Sequence, residues 1–291
     1  MVGPGRPNPE QLRGWLAPLL RAPDRAVLAL DYDGTLAPVV PDPERATPAP
    51  GAVQVLVDLS GRLGTLAVVS GRPADVLVRL GGLDRVPGLV VIGLYGEQRW
   101  EAGRLTAPAP PPGLAAALLE VPALLLGAGP SAAGAWVETK GGSFTVHLRT
   151  AADPAAAMRE LRAPLAALAA RRALVLQVGR LALELRRAGP DKGNALADLA
   201  ANAAASPAGG PSAVLYIGDD LGDLPAFATA AALRRAGVPA WSVAAASPEV
   251  PEVSAAADVV VDGPGGVVEL LRAIADLINA PAAPPTQPAD G

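Results

Sequence analysis

The sequence predicts an α/β protein: a doubly wound, mainly parallel, Rossmann-like sheet core with an inserted α+β cap domain. Three observations carry this. Short apolar runs recur along the chain, each near a segment with helical spacing. The runs are almost continuously apolar, as in "AVLALD" and "AVLYIGD", the pattern of strands covered on both faces. Between about residues 103 and 182 the rhythm breaks into alternating strands and Ala-rich helices, so a second unit interrupts the first.

In order, "AVLALD" (26–31) is the first strand, and spacing predicts a helix over 51–62. "TLAVVS" (65–70) is the second strand, with a helix over 74–80, and "GLVVIG" (88–93) is the third. The interruption opens on prolines at 108–112 and continues into a buried Ala/Leu helix and loop within 113–136. "AWVETKGGSFTVHLRT" then alternates as antiparallel strands with one wet face do. Another Ala-rich helix and the strands "ALVLQVG" and "LALELR" follow. The core resumes with a helix over 192–205 and strands at 213–219 and 257–262. The expected boundaries are 1–102 and 183–275 for the core, 103–182 for the cap, and 276–291 for a disordered low-complexity tail.

Composition narrows the chemistry. A net charge of −4 over 291 residues leaves no basic footprint for nucleic acid or for an anionic membrane. The segment 113–136 is broken by Glu120, Pro122 and Pro130, too often for a bilayer span. The amino terminus lacks an apolar signal core, so a cytoplasmic monomer is the expectation. Cysteine is absent and His147 is the single histidine. Disulfides, thiolate nucleophiles and histidine-rich metal centres are therefore excluded, and a divalent ion would need oxygen ligands, as magnesium prefers.

In an open α/β sheet, ligands bind beyond the carboxyl ends of the strands. Four segments carry polar residues to such places: Asp31 and Asp33; Ser70, Gly71 and Arg72; Lys192 in "GPDKGNAL"; and Asp219, Asp220 and Asp223 in "GDDLGDLPAF". Each alone reads equally well as a turn or a helix cap. Together, the carboxylates call for a cation, while a hydroxyl, backbone N–H groups and a lysine call for an anion. Magnesium and a phosphate answer both demands. Arg72 and Lys192 also fall at helix amino termini, where the dipole disfavours cations, so an anion is expected beside each.

With these residues, the chain resembles the haloacid dehalogenase superfamily of phosphotransferases, whose D-x-D-G-T motif stands here as "DYDGT"; its four motifs occur in order over about 26–265. Within it, the chain is similar to trehalose-6-phosphate phosphatases through "DYDGTLAPVVPDPERATP", "VVSGRP", "GLYGEQRW", "VETKGGSFTVHLR", "LELRRAGPDKGNAL" and "YIGDDLGDLPAF". The resemblance implies Asp31 as nucleophile and Asp33 as acid and base. It implies Mg2+ held by the Asp31 side chain, the Asp33 carbonyl and Asp219, with Asp220 and Asp223 holding its waters or orienting Lys192. Ser70 and the Gly71 amide would take phosphate oxygens, Lys192 would neutralise charge, and Arg72 would help seat the phosphate.

Glu138, Lys140, Ser143, His147 and Arg149 follow the family's V-E-x-K-x-x-S-x-x-x-H-x-R pattern, which implies a sugar site in the cap. Read without it, Glu138 and Lys140 are a surface ion pair and His147 is structural. Glu184 and Arg186 either face the cleft or pair with each other. The chain departs from the family at Gly222, Asp223 and Leu224, where Thr-Asp-Glu is usual, and at Leu94, Tyr95 and Gly96, where Asn-His-Gly is usual. The implied activity is hydrolysis of trehalose 6-phosphate, with a trehalose-6-phosphate synthase as working partner. The alternatives are a phosphatase of sucrose 6-phosphate or a glycosyl-phosphoglycerate, a phosphomutase, and a non-catalytic sugar-phosphate sensor.

Overall fold

The computed structural model describes residues 9–139, 141–179, 181–189, 191–205 and 209–280. The core elements before the insertion are α1 (Pro9–Arg21), β1 (Val27–Leu30), α2 (Ala52–Leu59), β2 (Thr65–Val69), α3 (Ala74–Gly81), β3 (Val90–Gly93), β4 (Gln98–Glu101) and β5 (Arg104–Thr106). The insertion holds α4 (Leu114–Gly127), β6 (Trp136–Thr139), β7 (Ser143–His147), α5 (Pro154–Arg171), β8 (Val175–Gly179) and β9 (Ala182–Arg186). The core then closes with α6 (Lys192–Ala204), β10 (Val214–Gly218), α7 (Leu224–Arg235), β11 (Ala240–Ala245), α8 (Pro251–Ala256), β12 (Val259–Val261) and α9 (Gly263–Asn279).

The large sheet has eight strands in the order β12-β11-β10-β1-β2-β3-β4-β5. All neighbours are parallel from β12 to β3, and β4–β5 is an antiparallel edge hairpin. Period-two alternation splits its core into two faces. Leu28, Leu30, Leu66, Val68, Leu215 and Ile217 pack toward α1, α2, α3 and α9. Val27, Ala29, Ala67, Val69, Val214 and Tyr216 pack toward α6, α7 and α8. A fully buried valine or leucine of this kind contributes about 1.5–3 kcal/mol. Leu30 lies opposite Ile217 on one side and Val68 on the other, so the carboxyl ends of β10, β1 and β2 finish level. That alignment brings distant loops to one edge.

The second sheet, β6-β7-β9-β8, is antiparallel throughout. Phe144, Val146, Leu183 and Leu185 face α4 and α5, forming a separate apolar core. By sheet membership, both cap limits fall later in the chain than the expected 103 and 182. β5 belongs to the large sheet, and all of β9 belongs to the cap, since Leu183 and Leu185 are needed to fill its core. The helix expected to be buried, α4, instead buries Ala117 and Val121 but leaves Leu119 and Leu126 exposed. It covers one face of a small sheet, which hides only one side of a helix. At the carboxyl terminus α9 continues to Asn279, past the expected start of the tail; residues 281–291 lie outside the described residues. Among the described residues, no helix is long and apolar enough to cross a membrane.

Candidate active site

β1 ends by delivering Asp31, whose N–H donates to the Ile217 carbonyl at 2.9 Å. The chain then turns sharply: the Leu36 and Ala37 N–H groups donate to the Tyr32 carbonyl, and the Gly34 N–H donates to the Ala37 carbonyl. Gly34 has φ +77°, and a Cβ there would sit 1.8 Å from an Asp219 oxygen. Glycine is thus required both for the turn and for the approach of the fourth loop. Thr35 uses that approach, donating its hydroxyl to Asp219 Oδ1 at 3.0 Å.

Lys192 opens α6 behind the Asp191 cap and is buried. Its Nζ lies 2.8 Å from Asp31 Oδ2 and 2.7 Å from Asp223 Oδ1. Asp223 is fully engaged: Oδ1 also accepts from the Tyr216 hydroxyl, and Oδ2 accepts from the Asp219 and Asp220 N–H groups. The anions anticipated beside the lysine are therefore these two carboxylates. Burial works against the Lys192 ammonium, but Asp223 and Asp31 outweigh it and raise the group above its ordinary value. Burial pushes the Asp31 carboxyl well above its usual range, Lys192 pulls it down, and Asp223 and Asp219 add to the rise. Burial, then Asp223, pushes Asp219 up to about 7.

Asp31, Asp219 and Asp223 bring carboxylate oxygens within 4.8 Å of one another. One lysine does not balance three carboxylates. Asp31 Oδ1 is buried and finds no hydrogen-bond partner among the described residues. An all-oxygen donor set with an orphaned carboxylate oxygen fits a hard divalent cation. Since both oxygens of Asp223 are already used, Asp31 and Asp219 are the side chains left to meet a metal, with Asp223 fixing Lys192 behind them.

The second loop behaves differently. Arg72 grips both oxygens of Asp33 at 2.6 and 2.7 Å and donates to the Pro43 carbonyl. The anion anticipated beside Arg72 is thus Asp33. In this ligand-free arrangement the Arg72 donors are engaged by a bidentate carboxylate. Burial opposes the Arg72 charge, and the Asp33 hydrogen bond and charge raise it above its ordinary value. Buried Ser70 accepts the Arg72 N–H on its hydroxyl and the Tyr95 N–H on its carbonyl. Asp220 is exposed and caps the short turn 221–223, accepting the Leu221 N–H, while Asp223 orients Lys192.

The polar face of the cap sheet presents a cross-strand row, Glu138, Thr145, Glu184 and Gln177, side by side on β6, β7, β9 and β8. It meets the core edge through Tyr95, whose hydroxyl donates to Glu184 Oε2 at 3.2 Å. Ser143 donates to Glu184 Oε1 at 2.6 Å, and Arg186 lies over the Tyr95 ring at 4.8 Å. Arg187 reaches Glu97 at 3.3 Å. His147 hydrogen-bonds Glu138 at 2.8 Å and stacks on half-exposed Trp136. Arg149 is exposed in the turn after β7, with no ion pair among the described residues, and Lys140 lies outside the described residues.

The trehalose-phosphatase family profile matches residues 29–262, spanning both halves of the core and the cap between them. The chain belongs to the trehalose-phosphatase family. It is 35% identical over 210 residues to a trehalose-phosphate phosphatase of Mycobacterium tuberculosis, covering 68% of this chain and 49% of that protein. The chain thus spans about half the length of the curated relatives it matches. The crystal structure of Aspergillus fumigatus trehalose-6-phosphate phosphatase superposes with a TM-score of 0.59 at 26% identity, covering 90% of this chain and 97% of that one. The carboxy-terminal domain of the Candida albicans trehalose-6-phosphate phosphatase shares the fold, with a TM-score of 0.74 at 20% identity over 93% of this chain and 98% of that one.

The motifs of the family account for Asp31, Lys192, Asp219 and Asp223 meeting at one edge. Two further residues entered without being anticipated, and a third, Tyr95, had stood out only as a departure from the family pattern. Thr35 stands inside the first motif, and its buried hydroxyl could have been flagged there. Tyr216 is a polar-tipped side chain in an otherwise apolar strand, a signal that a buried partner is needed. Tyr95 replaces a family histidine, and its backbone conformation, φ 59°, was invisible in the sequence. Such a conformation costs a non-glycine residue about 1–3 kcal/mol.

Proposed function

We propose that the chain hydrolyses trehalose 6-phosphate to trehalose and inorganic phosphate, dependent on magnesium, through a phosphate ester on Asp31. One observation supports this reading above others. Buried Asp31 has one oxygen clamped by Lys192 and the other without a partner among the described residues, beside Asp219. A carboxylate held in this way is a pre-positioned nucleophile, its orientation fixed before substrate arrives.

Asp31 forms a bond to phosphorus as the bond from phosphorus to the sugar oxygen breaks, and Asp33, protonated from solvent once its pair with Arg72 opens, gives that proton to the oxygen. Asp33 then takes a proton from a water that attacks phosphorus. The Asp31–phosphorus bond breaks, leaving inorganic phosphate and the free carboxylate. For both transfers the Asp33–Arg72 pair opens as the phosphate enters, and Arg72 is released toward the incoming anion. Ser70 and the Gly71 amide hold phosphate oxygens, and Lys192, fixed by Asp223, offsets charge in the transition state. Asp31, Asp219 and the Asp33 carbonyl would hold magnesium. When bound, the ion would offset the repulsion between these carboxylates and the phosphate.

Glu138, Lys140, His147 and Glu184 take sugar hydroxyls from the cap side, where carboxylates accept and the ammonium donates. The cap closes over the core edge and excludes water. We read the protein as a cytoplasmic monomer acting beside a trehalose-6-phosphate synthase. The test is phosphate release over a panel of trehalose 6-phosphate, sucrose 6-phosphate and glucosyl-phosphoglycerate, with magnesium or with chelator. Magnesium-dependent release from trehalose 6-phosphate, well above the others, is expected. Preferred turnover of another member, or binding with no turnover, would overturn the reading.

A further inference from the structure

Tyr95 stands at the junction of the phosphate loop and the cap, in a backbone conformation that side chains rarely adopt. Its N–H and that of Leu94 donate to the Ser70 and Arg72 carbonyls at 3.0 Å each, which fastens the turn to the second loop. Its ring lies so close to Gly71 that a Cβ there would fall 2.6 Å from ring atoms. Its hydroxyl, equally close to that position, reaches across and donates to Glu184 on the cap.

We infer that Tyr95 is a positioning residue that aims Glu184 at the sugar half of the substrate, coupling the phosphate loop to sugar recognition. This rests on the reading of the site as a sugar phosphatase. Glu184 is buried to 6% exposure, where a carboxylate needs hydrogen-bond donors to hold one orientation. Ser143 fixes one oxygen from inside the cap, and Tyr95 fixes the other from the core. Burial, then the Glu184 charge, pushes the Tyr95 hydroxyl above its usual range, so it stays a donor at neutral pH. Arg186 lies over one face of the ring, 4.8 Å from its centre, and attracts it there. Beside Glu184 in the cross-strand row, the buried Thr145 hydroxyl finds no hydrogen-bond partner among the described residues. A ligand hydroxyl reaching Glu184 would satisfy it, so the orientation set by Tyr95 bears directly on what the row recognises.

The test is a double-variant cycle on the full chain with Tyr95→Phe and Glu184→Gln, read on two substrates. Tyr95→Phe keeps the ring and its contact with Arg186 and deletes only the hydroxyl. Trehalose 6-phosphate has a sugar to reach Glu184; p-nitrophenyl phosphate has none. Tyr95→Phe is expected to raise KM for trehalose 6-phosphate about tenfold, the scale of one hydrogen bond to a charged group, with a smaller change in kcat. The ratio of kcat/KM between the two substrates falls accordingly, and the double variant is no worse than Glu184→Gln alone. A partly unfolded variant lowers both substrates alike and leaves that ratio untouched, so folding does not mimic the result. Equal losses on both substrates, or full additivity with Glu184→Gln, would overturn the inference. A wild-type chain that cleaves p-nitrophenyl phosphate but not trehalose 6-phosphate would sink the substrate reading instead, and the cycle then runs on the sugar phosphate the panel identifies.

Discussion

Asp223 is wholly buried, yet each of its oxygens accepts two hydrogen bonds, from Lys192, Tyr216 and two backbone N–H groups. An amide at this position presents a donor to groups that are themselves donors. Asp223→Asn is therefore expected to destabilise the fold by about 2–4 kcal/mol and to cost more than about 10²-fold in phosphate release, checked by urea melts and turnover. Gly34→Ala tests the neighbouring turn. Left-handed backbone strain costs about 1–2 kcal/mol, but the added methyl also displaces Asp219. Activity should fall much further than the melting shift implies; a variant with wild-type turnover would remove the turn from the account. At this scale the acids and the lysine were legible because motif spacing places them at strand ends. Arg72 was legible as a residue but not in its partner, since which anion a guanidinium meets depends on loop geometry rather than on order in the chain.

One side chain, just before β12, ties the backbone-paired strands β11 and β12 to α7. Asp258 accepts from Arg234 at 2.9 Å and from the Ser242 N–H and hydroxyl at 2.9 and 3.1 Å. Burial works against its charged form, but Arg234 and Ser242 outweigh it and hold the carboxyl below its ordinary value. A carboxyl depressed in the folded state adds stability that is complete above its unfolded value, about 3.9, and is lost as pH falls through the folded one. Asp258→Asn should cost about 1 kcal/mol at neutral pH, and the gap should close in strong acid. Urea melts at a series of pH values check this, and a gap that widens on acidification would contradict it. β11 itself was not anticipated, because Ser242 interrupts its short, alanine-rich apolar run, whereas β1, β2 and β10 announce themselves by longer-chain aliphatic ones. The β4–β5 hairpin was also missed. Its turn is Ala102-Gly103, both at positive φ, and its charged residues Arg99, Glu101 and Arg104 read as loop although they guard an edge.

At the scale of the whole molecule, one chain passes from the core edge into the cap and back, and the cap meets the segment after β3 through Glu184 on Tyr95 and Arg187 on Glu97. The division into core and insertion was legible from the change in hydrophobic rhythm; the return point was not, because "LALELR" reads alike in either sheet. A ligand that binds only the assembled carboxylates must stabilise the fold. Magnesium at a hundredfold excess over its dissociation constant should add about 2.7 kcal/mol, a rise of about 4–5 °C in Tm for a chain of this size, reversed by chelator and absent in Asp219→Ala. Scanning calorimetry with and without the ion checks it. The most direct measurement of the central claim is rapid quenching of the enzyme with trehalose 6-phosphate radiolabelled at phosphorus. Protein-bound label in the wild type, mapped to the peptide that carries Asp31 and missing from Asp31→Asn, is the predicted result. Free phosphate formed at an undiminished rate by Asp31→Asn, or label on another peptide, would contradict it.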